Sequence, residues 1–241
     1  MTQARPPRMK VGILCGGAGV RMGEATQAVP KPLMTVGDRP ILWHIMKLYE
    51  AAGFCDFVLL LGYRGEAIRA YFEQHAEPGW RVEYVDTGLE TPTGGRLHRA
   101  RDRFREGRFF LTYGDGLADV PLRDLLAHHE RAGRAATMTV VRPHTQFGIV
   151  DIATDDVVTG FREKPRMNEW VNGGFFVMEP AVLDVVADDD VLEARPLETL
   201  AAKGELTAYR HDGFWQCMDT LKDLRTLNEL HAKGAPWTVR K

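Results

Sequence analysis

A glycine-rich segment immediately after an apolar run constrains this chain more than any other feature. Residues 11–14 are typical of a buried strand, and residues 15–21 read Cys-Gly-Gly-Ala-Gly-Val-Arg. Glycines at a strand end allow positive φ and leave no Cβ between backbone amides and a ligand. Such amides form a concave anion site, to which Arg21 and Lys31 add two cations. The segment predicts a polyphosphate-binding loop, although an ordinary glycine-rich turn with two surface cations would show the same pattern.

The spacing of the glycines excludes the two most familiar phosphate loops. A P-loop requires Gly-x-x-x-x-Gly-Lys-Ser/Thr, a string that the sequence lacks. A dinucleotide fingerprint requires Gly-x-Gly-x-x-Gly, and here Gly17 and Gly19 are followed by Gly23, one residue too late. Pro30 and Pro32 also prevent a continuous helix after the loop. A dinucleotide-dependent oxidoreductase is therefore not favoured.

The composition is that of an ordinary globular protein in a reducing compartment. Of the 241 residues 44% are hydrophobic, the net charge is −2, and the three cysteines show no CxxC spacing. A nearly neutral chain lacks the basic excess typical of nucleic-acid binding, and no apolar run approaches membrane-spanning length. We therefore expect a cytoplasmic protein with neither a nucleic-acid nor a membrane partner. Residues 1–8 are polar and interrupted by prolines, so we expect a flexible tail there and a single domain over residues 9–241.

Apolar runs alternate with amphipathic segments along the first half of the chain. Such strand–helix units predict an α/β fold with a doubly wound, mostly parallel, Rossmann-like sheet, whose ligands bind at the carboxyl ends of the strands. Short β-branched runs in the middle predict a small antiparallel subregion packed onto that sheet. Strands are predicted at residues 11–14, 57–61, 81–85, 109–112, 136–141, 148–152, 157–161, 174–178 and 206–211, and helices at residues 41–52, 66–75, 121–132, 197–203 and 220–233.

Two aspartates are the candidate metal ligands. Asp115 lies between two glycines directly after a predicted strand, although Asp-Gly is also a common turn pair. Asp219 precedes the last predicted helix, which it could instead cap. Magnesium prefers a few carboxylates together with water and phosphate oxygens. Beside a polyphosphate loop, the pair favours Mg²⁺ as the cofactor.

Taken together, the motifs resemble those of the sugar-1-phosphate nucleotidyltransferases, and within that family the glucose-1-phosphate cytidylyltransferases. The matching segments are the glycine loop with residues 30–32, and residues 39–46, 62–65, 86–88, 93–97, 113–116, 147–148, 163–165, 171–176 and 213–220. The resemblance implies that a sugar 1-phosphate attacks the α-phosphorus of a nucleoside triphosphate and displaces pyrophosphate. It also implies a Mg²⁺-dependent, homo-oligomeric enzyme.

The resemblance further implies roles for individual residues. Arg21 and Lys31 are the expected catalytic cations, which offset phosphate charge, and Asp115 and Asp219 are the expected Mg²⁺ ligands. The expected nucleotide-binding residues are Leu14, Cys15, Gly16, Gly17, Ala18, Gly19, Arg21, Lys31, Thr91, Arg96 and Gly114. The expected sugar-phosphate-binding residues are Tyr113, Glu163, Lys164, Asn172, Gly173 and Trp215. The Asn-Gly-Gly run that begins at Asn172 is also typical of a hairpin turn.

Arg96 offers a physical reason for choosing CTP. Cytosine presents acceptors at O2 and N3 and arginine carries only donors, so Arg96 is predicted to read the base; otherwise it is a surface cation. The chain departs from the family at Val20, where threonine is usual, at Val29, where cytidylyltransferases often have lysine, and in the short segment between residues 72 and 81. We expect CTP and α-D-glucose 1-phosphate as substrates. Another sugar 1-phosphate, UTP or dTTP, and a non-catalytic regulatory paralogue that binds nucleotide sugars stay open as alternatives.

Overall fold

The apolar runs of the sequence become the strands of a seven-stranded sheet. The computed structural model describes residues 9–19, 22–23 and 29–238, so the predicted tail over residues 1–8 lies outside the described part, and the single-domain interpretation of residues 9–241 stays a prediction. The strands are β1 (Lys10–Leu14), β2 (Thr35–Val36), β3 (Arg39–Pro40), β4 (Asp56–Leu61), β5 (Arg81–Asp86), β6 (Phe109–Tyr113), β7 (Gly116–Ala118), β8 (Ala136–Val141), β9 (Ile149–Ile152), β10 (Val158–Arg162), β11 (Val171–Met178), β12 (Leu206–Arg210) and β13 (Trp215–Cys217). The α-helices are α1 (Ile41–Ala51), α2 (Gly65–His75), α3 (Thr93–Arg99), α4 (Leu122–Ala132), α5 (Arg195–Ala202) and α6 (Leu221–Ala232). In these described ranges, no helix has the length and apolar character needed to cross a membrane.

The strand order places the carboxyl ends of the central strands side by side. Across the large sheet the order is β12-β8-β11-β6-β1-β4-β5. β1 pairs in parallel with β4 and β6, β4 with β5, and β8 with β12, whereas β11 lies antiparallel between β6 and β8. The prediction of a mostly parallel sheet is confirmed. Because β1, β4 and β6 run in the same direction, the loops that follow them open on one edge, where ligands bind in sheets of this kind.

Apolar side chains fill the space on both faces of the sheet. Ile41 and Ile45 of α1 are fully buried in one cluster with Ile13 of β1. In a second cluster, Leu97 of α3 packs with Leu111 of β6. Burying an aliphatic side chain of this size contributes roughly 1.5–3 kcal/mol. The loops at the carboxyl edge are therefore attached to a tightly packed core.

Helix α3 is the principal element that the sequence analysis missed, since no helix is predicted over residues 93–99. Glycine within a helix costs roughly 1 kcal/mol relative to alanine, which makes a Gly-Gly pair look like a break. In the structure, a Cβ on Gly94 would lie 2.7 Å from the carbonyl oxygen of Asp190, and a Cβ on Gly95 would collide with the carbonyl oxygen of Asp188. The glycines are there because another segment of the chain lies against this helix.

The predicted antiparallel subregion exists, but its packing differs from the prediction. β9 and β10 form a two-stranded antiparallel sheet that is separate from the large one. Its apolar side chains do not pack onto the large sheet: Phe161 is 63% exposed, and Phe147, just before β9, is 77% exposed. The prediction of a small antiparallel subregion is therefore confirmed, whereas its expected packing onto the main sheet is not observed for these side chains.

Candidate active site

The carbonyl group of Gly16 fixes the glycine loop after β1 to neighbouring segments. The oxygen of Gly16 accepts the amide of Tyr63 at 2.9 Å and Nη2 of Arg96 at 2.8 Å. A Cβ on Gly16 would collide with that guanidinium and would lie 2.8 Å from the amide nitrogen of Gly62. Gly17 is exposed, and within the described ranges a Cβ there would meet no atom within 4 Å. The loop is thus tightly packed on its protein side and open on the other.

This loop forms one wall of a cavity of about 340 Å³. Nine of the predicted nucleotide-binding residues line it, namely Leu14, Cys15, Gly16, Gly17, Gly19, Lys31, Thr91, Arg96 and Gly114. Tyr113 and Asp115 also face this space. Ala18 lies in the exposed part of the loop and does not line the cavity, and Arg21 lies outside the described residues. The structure therefore brings most of the predicted nucleotide-binding residues to one place.

Arg96 lies beneath the loop, where only 3% of the residue is exposed. Its acceptors are the carbonyls of Leu61, Gly88, Gly16 and Leu89 and the hydroxyl of Thr87, all between 2.7 and 3.1 Å away. Nη1 and Nη2 are both engaged by these protein groups. The predicted contact of Arg96 with the base stays a prediction, whereas the alternative of a surface cation does not fit a residue that is buried among these acceptors. Arg96 holds the glycine loop against the ends of neighbouring segments.

Lys31 and the two predicted metal ligands form one cluster. Its Nζ lies 2.5 Å from Oδ2 of Asp115 and 3.0 Å from Oδ1 of Asp219, and the lysine side chain is 12% exposed. Burial alone would lower the pKa of Lys31, but the charge of Asp115 and hydrogen bonds to both aspartates raise it above its ordinary value. The ammonium group therefore stays charged at neutral pH, where it offsets the repulsion between the two carboxylates.

The small sheet of β7 and β13 is the element that brings the two aspartates together. Cys217 of β13 lies opposite Gly116 of β7, and the amide of Met218 donates to the carbonyl of Asp115 at 2.9 Å. The next residue in the chain is Asp219, which therefore reaches the loop between β6 and β7. Neither β7 nor β13 is predicted from the sequence, because each has only three residues.

Thr220, not Asp219, caps helix α6. The Thr220 hydroxyl accepts the amide of Asp223, and the Asp223 carboxylate accepts the amide of Thr220 in return. This reciprocal pair is a capping box. The alternative interpretation of Asp219 as the cap is therefore wrong, and its carboxylate is available for the cluster with Lys31.

The donor set at this position fits Mg²⁺. One ligand atom from each of Asp115, Cys217 and Asp219 lies within 4.8 Å of the others. The two carboxylates supply the hard oxygen ligands that Mg²⁺ prefers. Burial, followed by the negative charges of the two aspartates, raises the pKa of the Cys217 thiol. At neutral pH the cysteine is therefore an uncharged neighbour of the two carboxylates. The preference of the site for one kind of metal ion follows from the carboxylate oxygens.

Four of the six predicted sugar-phosphate residues lie together beside the cavity. Asn172 Nδ2 donates to the hydroxyl of Tyr113 at 3.0 Å. Trp215 Nε1 donates to the carbonyl of Gly173 at 2.8 Å, which joins β13 to β11. Asn172 and Gly173 belong to strand β11, so the alternative interpretation of this run as a hairpin turn is wrong.

Glu163 and Lys164 are placed differently from these four. They follow β10, their side chains are 60% and 50% exposed, and they form an ion pair with each other at 2.9 Å. Within the part of the chain that the structure describes, neither side chain hydrogen-bonds to Tyr113, Asn172 or Trp215. Their predicted contact with the sugar phosphate stays a prediction.

Thr93 and Glu193 complete the rim of the site, and the sequence analysis gives a role to neither. Thr93 lines the cavity and donates to Oε2 of Glu193 at 2.7 Å, while the Tyr113 hydroxyl donates to Oε1. Glu193 ends an acidic stretch, residues 188–193, that matches no motif. The sequence carries no signal for this residue, because its importance arises from contacts between distant segments.

Comparison with known proteins gives a family and a fold. Residues 10–230 match the nucleotidyl transferase family. The chain is 41% identical to the probable glucose-1-phosphate cytidylyltransferase of Bacillus subtilis, over 96% of this chain and 100% of that protein. It is 42% identical to the glucose-1-phosphate cytidylyltransferase of Salmonella typhimurium, over 95% of this chain and 98% of that protein. HddC from Yersinia pseudotuberculosis shares the fold with a TM-score of 0.74, at 20% identity over 92% of this chain and 99% of that one. Sequence, fold and the arrangement around Lys31 therefore agree that the chain belongs to the nucleotidyltransferase family of enzymes.

Proposed function

We propose that this nucleotidyltransferase transfers the cytidylyl group of CTP to α-D-glucose 1-phosphate and releases CDP-glucose and pyrophosphate. The observation that carries the proposal is the contact of Lys31 with Asp115 and Asp219 at a cavity whose wall is the glycine loop. An anion-binding loop, a cation and a carboxylate pair are what phosphoryl-group transfer requires, since positioning and charge neutralisation provide most of its catalysis. The choice of substrates follows the two relatives that are 41% and 42% identical over nearly their whole length.

In this proposal the glycine loop holds the triphosphate and Lys31 offsets its charge. The backbone amides of residues 16–19 donate to phosphate oxygens, and Arg96 keeps the loop in position by binding the carbonyl of Gly16. An oxygen of the sugar phosphate attacks the α-phosphorus in line, and pyrophosphate leaves. Lys31 donates to the phosphate oxygens as negative charge moves onto the leaving group, and Arg21 is the proposed second cation.

Asp115 and Asp219 are the proposed ligands of Mg²⁺. When bound, this ion would neutralise negative charge on the phosphate groups. Lys31 contacts the same two carboxylates, so it keeps them close together and lowers their mutual repulsion. The short β7–β13 sheet fixes the backbone on both sides of this pair.

The proposed sugar site lies against Tyr113, Asn172 and Trp215. Trp215 and Tyr113 offer apolar ring faces, and the contacts of Asn172 and Trp215 with neighbouring groups fix their orientation. Glu163 is the proposed acceptor for sugar hydroxyls and Lys164 the proposed cation for the sugar phosphate. Both are carried by the exposed β9–β10 hairpin, so they would reach the substrate from outside the main sheet.

We further propose that the protein is a cytoplasmic homo-oligomer that assembles through the β9–β10 hairpin. The exposed apolar side chains are Phe147, Ile149, Val150, Ile152, Val157, Val158 and Phe161. Together they expose on the order of 700 Å², distributed over both faces of the hairpin, whereas one partner buries about 800 Å² in a standard interface. A second copy of the same hairpin is the proposed occupant. Light scattering on Phe161→Ser should show a smaller assembly than the wild type, and a monomeric wild type would contradict this assembly.

A substrate matrix tests the reaction. Pyrophosphate release is measured with CTP, UTP, dTTP and GTP against several sugar 1-phosphates, with and without Mg²⁺. Release with CTP and glucose 1-phosphate, dependent on Mg²⁺, is the expected result. Release only with UTP or dTTP, or only with another sugar 1-phosphate, would replace the proposed substrates. No release in any mixture would favour a regulatory paralogue that binds nucleotide sugars.

A further inference from the structure

We propose that Glu193 is a positioning residue that fixes the sugar-side wall of the site to its nucleotide-side wall, and thereby sets the affinity for the sugar 1-phosphate. The inference rests on the proposed function, because it assigns the two walls to the two substrates. Glu193 lies in the segment before α5 and spans the gap between two elements. Its Oε2 accepts from Thr93 at the start of α3, and its Oε1 accepts from Tyr113 at the end of β6.

The hydroxyl of Tyr113 depends on Glu193 for its acceptor. Asn172 Nδ2 donates to this hydroxyl, and Asn172 Oδ1 in turn accepts the amide of Gly174 at 2.9 Å. The hydroxyl therefore accepts from one neighbour and donates to another, which leaves it a single favourable orientation. Glu193 is exposed and Tyr113 half-buried, so removing the carboxylate would leave the phenol donor to water and free its orientation.

Neighbouring residues also restrict the orientation of the Tyr113 ring. Gly174 has a φ of +80°, and a Cβ at this position would collide with the Tyr113 ring. The other neighbour is Phe176, whose ring is edge-on to that of Tyr113 at a centroid distance of 6.1 Å. The wall that this ring provides is thus defined by Gly174, Phe176 and Glu193.

On the nucleotide side, Glu193 is attached to the helix that carries Arg96. The Thr93 hydroxyl accepts the amide of Leu192 at 2.9 Å and donates to the Glu193 carboxylate, so its hydrogen-bonding capacity is used in both directions. Three residues further along α3, Arg96 binds the carbonyl of Gly16 in the glycine loop. A continuous set of hydrogen bonds and one helix therefore connects Asn172 to the glycine loop through Glu193.

The segment that carries Glu193 has supports of its own. Arg195 donates to Oδ1 of Asp190 at 2.8 Å, and Asp190 also accepts the amide of Ala187. Gly95 donates its amide to the carbonyl of Asp190 at 3.0 Å. A change at the Glu193 side chain should consequently leave the segment in place and affect the link between the two walls.

The test compares Glu193→Ala and Glu193→Gln with a matched control, Glu198→Ala, an exposed glutamate of α5. Steady-state rates are measured with varied glucose 1-phosphate and with varied CTP. Glu193→Ala should raise KM for glucose 1-phosphate roughly tenfold, the size of one lost oriented hydrogen bond, with kcat and the KM for CTP within about twofold. Glu193→Gln should recover most of this loss, because its amide oxygen still accepts from Tyr113. The control should match the wild type.

Calorimetry gives a readout that does not depend on turnover. CDP-glucose contacts both walls and CMP only one, so Glu193→Ala should weaken CDP-glucose roughly tenfold and leave CMP within about twofold. Equal weakening of both ligands, a fall in kcat alone, or a Gln variant as defective as the Ala variant would overturn the proposal. If Glu193→Ala does not fold, Glu193→Asp replaces it, because this change retracts the carboxylate by one methylene. The expected changes in KM and in the affinities for CDP-glucose and CMP are the same. A wild type that neither makes nor binds CDP-glucose would instead refute the proposed function.

Discussion

Substitutions of Arg96 can distinguish two roles of its guanidinium group. One is to anchor the glycine loop, and the other is to bind the base of the nucleotide. Arg96→Met keeps the length and apolar stem of the side chain but removes every donor. Arg96→Lys keeps the positive charge but loses the planar fork that reaches several acceptors at once. Both changes leave the backbone of α3 as it is, so their effects report on the guanidinium.

The expected loss in free energy of unfolding follows from the acceptors that lose the Arg96 donor. Four carbonyls and one hydroxyl bind the two terminal nitrogens of Arg96, which is 3% exposed. A hydrogen bond from a charged donor contributes roughly 1.5–3 kcal/mol, and these bonds are not additive because each nitrogen serves several acceptors. Water from the adjacent cavity can satisfy some of the carbonyls in the variant. We expect Arg96→Met to lower the free energy of unfolding by about 3–5 kcal/mol, and Arg96→Lys by about half as much.

The assay is urea unfolding followed by circular dichroism, together with KM values for CTP and UTP. The control is Arg105→Ala, because Arg105 is exposed and makes one ion pair, with Asp102 at 3.2 Å. An exposed pair of this kind contributes about 0–1 kcal/mol. Arg96→Met should also raise KM for CTP, because the loop that carries Gly16 loses its anchor. The ratio of the KM values for CTP and UTP should stay unchanged.

The opposite pattern would refute this reasoning. If Arg96→Met unfolds with the same free energy as the control and the preference for CTP over UTP disappears, the guanidinium reads the base. The buried contacts of Arg96 would then not hold in solution. A loss of stability together with an unchanged base preference would establish the anchoring role.

Three further changes test the cluster around Lys31. Lys31→Met should lower kcat by roughly 10²–10³, the effect of losing one charge-stabilising donor. The same variant should bind Mn²⁺ more tightly in calorimetry, because the ammonium group no longer contacts the two carboxylates. Asp219→Asn should raise the Mg²⁺ concentration needed for half-maximal pyrophosphate release by at least roughly tenfold, and an unchanged Mg²⁺ titration would contradict its role as a ligand. Burial raises the pKa of Cys217, so its thiolate forms only at a pH above the range of ordinary thiols. The rate of alkylation by iodoacetamide should therefore be low at pH 8 and still rise with pH at pH 10. A rate that levels off below pH 9 would contradict the burial of this thiol.

The sequence predicts the large sheet well because its strands are decided by local pattern. Residues 136–141 are predicted and observed with the same bounds, and β1, β4 and β6 differ from prediction by one residue at an end. The runs of β1 and β4 are apolar on both faces, as is typical of strands in the middle of a parallel sheet. Helix α3 is missed for the opposite reason. Its Gly-Gly pair is unfavourable locally and is explained only by the chain that packs against it.

The position of some site residues also follows from local sequence pattern, whereas that of others depends on distant contacts. The glycine loop and Asp115 follow strands that the sequence predicts, so their common position at one edge of the sheet follows from the strand pattern alone. Asp219 reaches them through β7 and β13, which are too short to leave a pattern. Four of the five acceptors of Arg96 are backbone carbonyls, and backbone groups have no sequence signature. Side-chain identity therefore suggests a base contact for Arg96, which stays a prediction, and gives no sign of the protein acceptors that the structure shows.

The charge of the cluster explains why Lys31 lies between two aspartates that are also proposed to bind a metal. Two carboxylates that converge on one ion repel each other at a few ångströms by several kcal/mol at an effective dielectric constant near 20. Lys31 removes much of that repulsion and leaves a net charge of −1 on the three groups, which attracts a divalent cation only weakly. A triphosphate that enters the cavity gives Lys31 a second anionic partner, since Lys31 and Asp115 both line that cavity. The carboxylates then become more available to the cation, so the affinity for Mg²⁺ should increase when CTP is bound and the affinity for CTP should increase by the same factor when Mg²⁺ is bound. Lys31→Met should reduce this coupling, because the contribution of the shared ammonium group would be lost and only the direct attraction between the cation and the triphosphate would remain.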